Sequence, residues 1–391
     1  MTSTAVEVSP RFRFDRNELA GAFGDIGTDL PLIVGMVMAA GLDAASVLVM
    51  FGIMQYATAI RYGMPMAVQP LKAMAVIVIT QKIAGPVLFG AGLAIGVVML
   101  LLTATGALAW LARVVPKSVV RGLQLGLGLQ LALLALGDYV RSAGVTGYGL
   151  ALIAFAIAIA LYGNRRFPPA LPIIALGILY AFMFNLDARD LASGLGFTLP
   201  LPRMPAPADV WTGLVILALP QIPLSLGNSL LATRQTAHDL FPEKQITIRQ
   251  LGYTYSLMNL VNPWFGGIPT CHGSGGLMGH YTFGARTGGS LLIYGSLFLT
   301  MGLFFAGAFT QVVQVFPLPV LGVLLLFEGW SLMWLARDVV PVRRELAVTL
   351  AVATLAVVAP YGYVFGLVSG TLAWYALVKG WGSRPKQTEE S

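Results

Sequence analysis

The sequence has few charged residues, few histidines and almost no cysteine. Only 10% of its residues are charged and 57% are hydrophobic, whereas about a quarter of the residues in a soluble domain are charged. Because Cys271 is the single cysteine, the chain cannot form an internal disulfide framework. Its three histidines are scattered along the sequence and do not form a metal site. No Gly-rich stretch follows a strand and opens a cytosolic helix, as a nucleotide-binding loop must. We therefore predict a protein that is not an enzyme and has no cofactor.

Apolar sequence dominates the chain. A membrane-spanning helix needs about 20 apolar residues, so 391 residues accommodate about fourteen such helices and little else. We predict an all-α polytopic membrane protein with lipid as its solvent. The predicted organisation is a cytoplasmic tail over residues 1–18, a first unit of about seven helices over 19–186, an extracytoplasmic connector over 187–209, a second such unit over 210–380, and a cytoplasmic tail over 381–391.

The net charge of +7 is explained by where the basic residues fall between the predicted helices. If the N-terminus is cytoplasmic, the cytoplasmic loops hold Arg61, Arg113, Lys117, Arg121, Arg165, Arg166, Arg234, Lys244, Arg249, Arg286, Arg337, Arg343 and Arg344. The opposite face holds only Lys82, Arg141, Arg189 and Arg203. The positive-inside rule then predicts an inner-membrane or plasma-membrane protein with both termini in the cytoplasm. Basic loops of this kind do not indicate a nucleic-acid partner.

Two proline-containing breaks recur at a shift of about two hundred residues. Residues 62–65 align with residues 266–269, and Val115-Pro116 aligns with Phe316-Pro317 at nearly the same shift. Because each copy would contain an odd number of helices, the second copy must enter the membrane from the opposite side. The sequence thus predicts an inverted-topology repeat.

These breaks also predict a ligand site. Transporters with inverted repeats bind substrate near the membrane midplane, where discontinuous helices point their positive N-terminal ends at an anion. Residues 64–70 should be extended backbone that leads into a half-helix, and residues 266–276 should do the same. Lys72 is placed to compensate the remaining charge of a dianion. The alternatives are packing and kinks for the glycines and prolines, and a snorkelling side chain or a structural ion pair for Lys72.

Three carboxylates lie within the predicted spans. Asp25 and Asp29 are four residues apart, so they share a face if the segment is helical and repel unless one is protonated or paired. A proton or cation site is one interpretation, and helix capping or an ion pair with Lys72 is the other. For Glu328, a functional role and a solvated position at the cytoplasmic end both stay open.

Neutral polar residues add hydrogen-bonding groups. Gln221, Ser225 and Asn228 lie on one face of the eighth predicted helix. They are interpreted either as ligand contacts or as interhelical hydrogen bonds. The imidazole of His272 could donate to an oxyanion or carry a proton.

Several segments together resemble one known family. They are residues 24–28 (GDIGT), 62–73 (YGMPMAVQPLKA), 219–224 (LPQIPL), 269–276 (PTCHGSGG) and 283–286 (FGAR). These residues resemble the molybdate transporter family of the sulfate permease (SulP) superfamily. The resemblance implies a seven-plus-seven inverted repeat divided into core and gate domains. It also implies an oxyanion held between the third and tenth helices and carried by an elevator-like movement.

The resulting hypothesis is proton- or ion-coupled import of molybdate, with sulfate as the second choice. The expected substrate-binding residues are Thr28, Gln69, Lys72, Gln221, Asn228, Thr270, Cys271, His272, Gly273 and Ser274, and the expected ion-coupling residues are Asp25, Asp29 and Glu328. A nucleobase permease of the same fold and an anion channel are the alternatives. The expected partners are the oxyanion and the lipid bilayer, with a homodimer left open.

Overall fold

The computed structural model describes residues 10–108, 110, 114–164, 168–184 and 188–377. The predicted C-terminal tail, residues 381–391, and residues 1–9 of the N-terminal tail lie outside the described residues. Nearly all of the described secondary structure is helical, as predicted, and its only strands are two short segments of three residues each.

The first half of the chain contains nine described helices and one strand. They are α1 (Arg16–Ala22), α2 (Ile26–Ala40), α3 (Ala44–Tyr62), β1 (Val68–Pro70), α4 (Lys72–Gln81), α5 (Gly85–Thr105), α6 (Lys117–Leu134), α7 (Gly144–Ala160), α8 (Ala170–Phe184) and α9 (Ala188–Ser193). A π-helical turn, Ala135–Tyr139, extends α6.

The second half contains the remaining helices and the second strand. They are α10 (Pro207–Gly213), α11 (Leu219–Leu224), α12 (Thr233–Leu240), α13 (Ile248–Val261), β2 (Thr270–His272), α14 (Ser274–Thr282), α15 (Gly289–Phe304), α16 (Ala306–Val315), α17 (Leu318–Trp334), α18 (Arg343–Val358) and α19 (Gly362–Leu377). Two π-helical segments, Leu214–Ala218 and Ser225–Ala232, join α10, α11 and α12 into one run of 34 residues. Pro220 and Pro223 lack the N–H groups that a regular helix needs here, which accounts for the irregular turns.

Helix length and hydropathy support a membrane protein. Among the described residues, six helical runs are long and apolar enough to cross a membrane, and α15 and α16, bent by 93°, form a seventh if they count as one span. Four shorter helices, α4, α7, α8 and α19, are also apolar. The predicted total of about fourteen spans stays a prediction.

The two predicted breaks meet in space. Strands β1 and β2 pair antiparallel, with Gln69 opposite Cys271. The N–H of Leu71 also donates to the carbonyl of Pro269 at 3.0 Å. Each strand leads directly into a short helix, β1 into α4 and β2 into α14. The predicted order of extended backbone followed by a half-helix is therefore confirmed for both breaks.

A carboxamide side chain completes the hydrogen bonds of each strand. Gln55 of α3 donates to the carbonyl of Val68 at 2.8 Å and accepts from its N–H at 3.2 Å. Asn259 of α13 does the same for Thr270, at 2.7 Å and 2.9 Å. Both carboxamides are fully buried. They satisfy backbone groups that neither water nor a helix satisfies at this depth.

The described helices pack into two groups. In the core group, α2 packs on α4, α3 packs on α15, and α5 packs on α10 and α13. The continuous run from α10 through α11 to α12 belongs to this group, as does α14, which packs on α12 and α1. In the gate group, α6 packs on α17, α18 and α19, and α7 and α8 pack on α17. Contacts between α4 and α6 and between α2 and α17 join the groups. The strand pair belongs to the core group and contacts α2, α3 and α13.

Close backbone contact explains two glycines of the first helical signature. A Cβ at Gly24 would lie 2.6 Å from the amide nitrogen of His280 in α14, and a Cβ at Gly21 would lie 2.8 Å from the Cα of Ala285. Neither position leaves room for a side chain. The junction of α1 and α2 is thereby packed directly against α14, close to the strand pair.

We predict that Asn259→Leu destabilises the protein strongly, because leucine has a similar volume but cannot pair with either backbone group of Thr270. Each buried group left unpaired costs about 1–3 kcal/mol. The measurement is the thermal unfolding midpoint of the purified protein in detergent. Gln235→Leu, which changes an exposed carboxamide of α12, is the control and should leave the midpoint unchanged. Equal midpoints for the two variants would contradict the predicted role of Asn259.

Candidate functional site

A cavity of about 160 Å³ lies where the strand pair faces the gate group. The core group contributes Gln69, Lys72, Ala73, Gln221, Leu224, Asn228, Ser229, Cys271, His272, Gly273, Ser274 and Gly275, and the gate group contributes Leu127, Ser331, Leu332 and Leu335. Drug-sized ligands occupy pockets of about 300–1,000 Å³. The size of this cavity therefore fits a small ion better.

The N-terminus of α14 opens into the cavity. Gly273 precedes the helix and provides no side-chain cap, and the first amide groups of a helix have no partner within the helix. Gly273, Ser274 and Gly275 all line the cavity, and a Cβ at Gly275 would meet no atom within 4 Å. A helix end of this kind carries about half a positive charge and binds anions through its backbone N–H groups.

The N-terminus of α4 is arranged differently. The Oε1 atom of Gln221 accepts hydrogen bonds from the N–H groups of Ala73 and Met74 at 2.9 Å and 3.3 Å. The Nε2 atom of Gln221 donates to the hydroxyl of Ser225 at 3.0 Å, and that hydroxyl lies 2.8 Å from the hydroxyl of Tyr255. Gln221 thus caps α4 and is itself held in place. Of the two helix ends expected to face an anion, only that of α14 is open.

Lys72, the first residue of α4, also lines the cavity and carries a positive charge. Its Nζ atom lies 2.7 Å from Oε1 of Glu328 in α17, and Thr28 donates to Oε2 of Glu328 at 3.2 Å. The Lys72 side chain is 26% exposed and the Glu328 side chain 5%. The solvated position that the sequence left open for Glu328 is therefore wrong. The ion pair left open for Lys72 does form, and its partner is Glu328 rather than Asp25 or Asp29.

Asp25 and Asp29 bind neutral partners. The Nε2 atom of Gln69 lies 2.8 Å and 2.7 Å from the two carboxylate oxygens of Asp25. The hydroxyl of Tyr294 donates to Asp29 at 3.0 Å. Both carboxylates are buried. Asp25 stands at the start of α2 but forms no side-chain cap, so the capping interpretation fails for this residue.

Strand alternation decides which side chains of β2 face the cavity. Cys271 lies opposite Gln69, whereas Thr270 and His272 point to the other face of the pair. There, Asn262 donates to the hydroxyl of Thr270 at 3.2 Å, and Nε2 of His272 lies 2.6 Å from the hydroxyl of Thr254. The structure therefore directs both side chains toward α13 rather than toward an anion in the cavity.

Most of the residues expected around an anion do line this one cavity. Thr28 and Thr270 do not: Thr28 acts through Glu328, and Thr270 supports β2. The sequence reasoning missed Ser229, Gly275 and the residues of the gate group. Ser331 had an available signal, because it lies three residues after Glu328 and so on the same helix face. No signal in the sequence distinguished Leu127, Leu332 and Leu335 from other apolar helix residues.

Three neutral side chains complete the surroundings. Asn228, Ser274 and Ser331 line the cavity, and their side chains have no hydrogen-bond partner among the described residues. Together with Lys72 and the α14 amides, they form a set of donors around a small space. Such a set suits an anion that accepts hydrogen bonds in several directions.

Solved structures show the same fold. The transmembrane domain of the cyanobacterial bicarbonate transporter BicA matches with a TM-score of 0.65 and 18% identity over 92% of this chain and 96% of that one. The structure of murine Slc26a9 in the inward-facing state matches with a TM-score of 0.67 and 12% identity over 95% of this chain and 70% of that one. At these identities the likeness establishes the fold.

Sequence comparisons establish the family. "Molybdate transporter 1" of Arabidopsis thaliana is 33% identical over 84% of this chain and 81% of its own length, and "Molybdate transporter 2" of the same plant is 33% identical over 82% and 79%. "Molybdate transporter 1" of Chlamydomonas reinhardtii is 27% identical over 90% of each chain. The family model described as "Molybdate transporter of MFS superfamily" matches residues 17–131 and 213–332. The chain therefore belongs to the molybdate transporter family.

Proposed function

We propose that this protein is a secondary active transporter that imports molybdate, with sulfate as the second choice of oxyanion. The observation that carries the proposal is the cavity that both the open N-terminus of α14 and Lys72 line. Relatives named as molybdate transporters support the choice of molybdate. Anion transporters with the same fold support transport rather than catalysis.

In the proposed binding mode, the anion lies against the α14 end. Ser274 and the amide groups after Gly273 donate to its oxygens, and Asn228 donates from the side. Gln221 and Gln69 act indirectly, since Gln221 positions α4 and Gln69 holds Asp25 beside the cavity. The roles of His272 and Thr270 are to fix β2 against α13.

The proposed transport movement is a displacement of the core group relative to the gate group. Support comes from the position of the cavity, whose lining is divided between the two groups. Support for an inverted repeat comes from the two carboxamides, because Gln55 and Asn259 are separated by the same number of residues as Pro65 and Pro269. The distribution of basic residues supports a cytoplasmic position for both termini.

Ion coupling is proposed to involve the three buried carboxylates, Asp25, Asp29 and Glu328. Each is close enough to Lys72 to interact electrostatically with it. A carboxylate that gains or loses a proton beside the anion would change the affinity of the site for that anion. Ion movement and anion movement would then be linked.

Uptake into proteoliposomes tests the function. We expect saturable uptake of radiolabelled molybdate that is stimulated by an inward proton or other ion gradient and inhibited by unlabelled sulfate. Inhibition by uracil or xanthine, but not by oxyanions, would indicate a nucleobase permease. Flux without counterflow would indicate a channel. If no ion gradient produces saturable oxyanion flux, the proposal is wrong.

We predict that Gly275→Ala weakens molybdate binding by about 10–100-fold, because the added methyl group enters the cavity beside the first amides of α14 and displaces a charge-assisted hydrogen bond. The fold should tolerate the change, since the position is open. Gly227→Ala is the matched control: its Cβ would also meet little, with the nearest atom at 3.9 Å, but the residue does not line this cavity. Isothermal titration of both variants gives the affinities. If the two variants bind molybdate equally well, the anion does not lie at α14.

A further inference from the structure

The cavity is surrounded by more acidic than basic groups. Lys72 faces Glu328 directly, and Asp25 and Asp29 lie near enough to interact with both. With all four groups ionised, the surroundings carry one positive and three negative charges. A dianion would bind there against a net repulsion, and burying uncompensated charge is costly. Each ionised carboxylate near the cavity therefore opposes the binding of a dianion.

The three carboxylates differ in what they bind. Asp25 binds the amide of Gln69, and Asp29 binds the hydroxyl of Tyr294. Gln69 lines the cavity and Tyr294 does not, and neither Asp25 nor Asp29 forms a salt bridge with Lys72 among the described residues. Of the three carboxylates, only Glu328 forms an ion pair with Lys72, whose Nζ atom lies 2.7 Å from Oε1 of Glu328. An anion that binds Lys72 must therefore compete with Glu328.

Glu328 also belongs to the other group of helices. It lies in α17 of the gate group, whereas Lys72 begins α4 of the core group. Among the described residues, the other ion pairs of the gate group stay within it: Asp338 binds Lys117 and Arg121. Lys72–Glu328 is thus a charge pair across the boundary at which the two groups would have to move.

We propose that Glu328 is a tethered counterion of Lys72 that the oxyanion displaces, and that Glu328 takes up one proton from solution as it is displaced. The inference rests on the proposed function and specifies the coupling within it. In the empty site the carboxylate neutralises Lys72. In the loaded site the oxyanion binds Lys72, and the protonated Glu328 keeps the hydroxyl of Thr28 as a partner. Release of the anion and the proton restores the ion pair.

This exchange would link occupancy to movement. With the cavity empty, the ion pair fastens the core group to the gate group. Once the oxyanion binds Lys72, the ion pair between the groups is broken. The positive charge of Lys72 is then neutralised by the oxyanion within the core group. In the loaded state the neutral hydrogen bond between Thr28 and Glu328 replaces the ion pair as the link between α17 and the core group, so the core group moves past α17 more readily.

The test is molybdate binding to the full-length protein in detergent, measured by isothermal titration in buffers with different ionisation enthalpies. For the wild type we expect uptake of about one proton per anion and an affinity that weakens about tenfold per pH unit in the alkaline range. Glu328→Gln should bind molybdate with no proton uptake and with little dependence on pH. Asp338→Asn, which removes a paired carboxylate within the gate group, should behave as the wild type.

Two further variants identify the proton acceptor. If Glu328→Gln still takes up a proton, while Asp25→Asn or Asp29→Asn does not, the proposal is wrong and an aspartate is the acceptor. Wild-type binding without any proton uptake would overturn it as well. A wild type that binds neither molybdate nor sulfate would instead remove the proposed function on which this inference rests.

Infrared difference spectroscopy of the wild type keeps the test independent of variants that fail to fold. Adding molybdate should produce the band of a protonated carboxyl group and remove a carboxylate band. Unchanged carboxylate bands on binding would overturn the proposal. The double variant Lys72→Gln with Glu328→Gln, which removes both members of the ion pair, should fold but lose most of its molybdate affinity.

Discussion

The pairing of two strands of three residues each is the interaction on which the rest of the structure depends. A broken helix inside a bilayer leaves backbone N–H and C=O groups without partners, and each costs several kcal/mol in hydrocarbon. Here the two breaks supply hydrogen-bond partners for each other. The side chains of Gln55 and Asn259 supply partners for backbone groups at the outer edges of the two strands. Only with these bonds in place can α4 and α14 begin in the middle of the protein, where their first residues reach the cavity.

The sequence predicted this arrangement well where the signal was local. Prolines and glycines between residues 64 and 70 and between 266 and 276 exclude continuous helix, so both breaks and both half-helices could be placed. The polar lining of the cavity followed from the same segments. Gln55 and Asn259 were missed, although a carboxamide within a predicted membrane span was an available signal.

Contacts between distant segments could not be predicted. Nothing local shows that Lys72 pairs with Glu328, since the choice among three acids depends on how α17 packs beside α4. The direction of His272 depends on the register of β1 and β2, and a shift of one residue would reverse every side chain of the pair. The cap of Gln221 on α4 has the same origin, because it depends on the approach of α11 to α4.

The two halves of the chain solve the same backbone problem in the same way but deliver positive charge differently. In the first half, Lys72 is the first residue of the half-helix, and Gln221 of the second half caps that helix end. The second half places Ser274 there and leaves the helix end open. A dianion between them meets one full charge and about half a charge from the helix, so about half a negative charge is left over. An ionised Glu328 would raise that remainder to about one and a half charges, before any charge on Asp25 or Asp29 is counted.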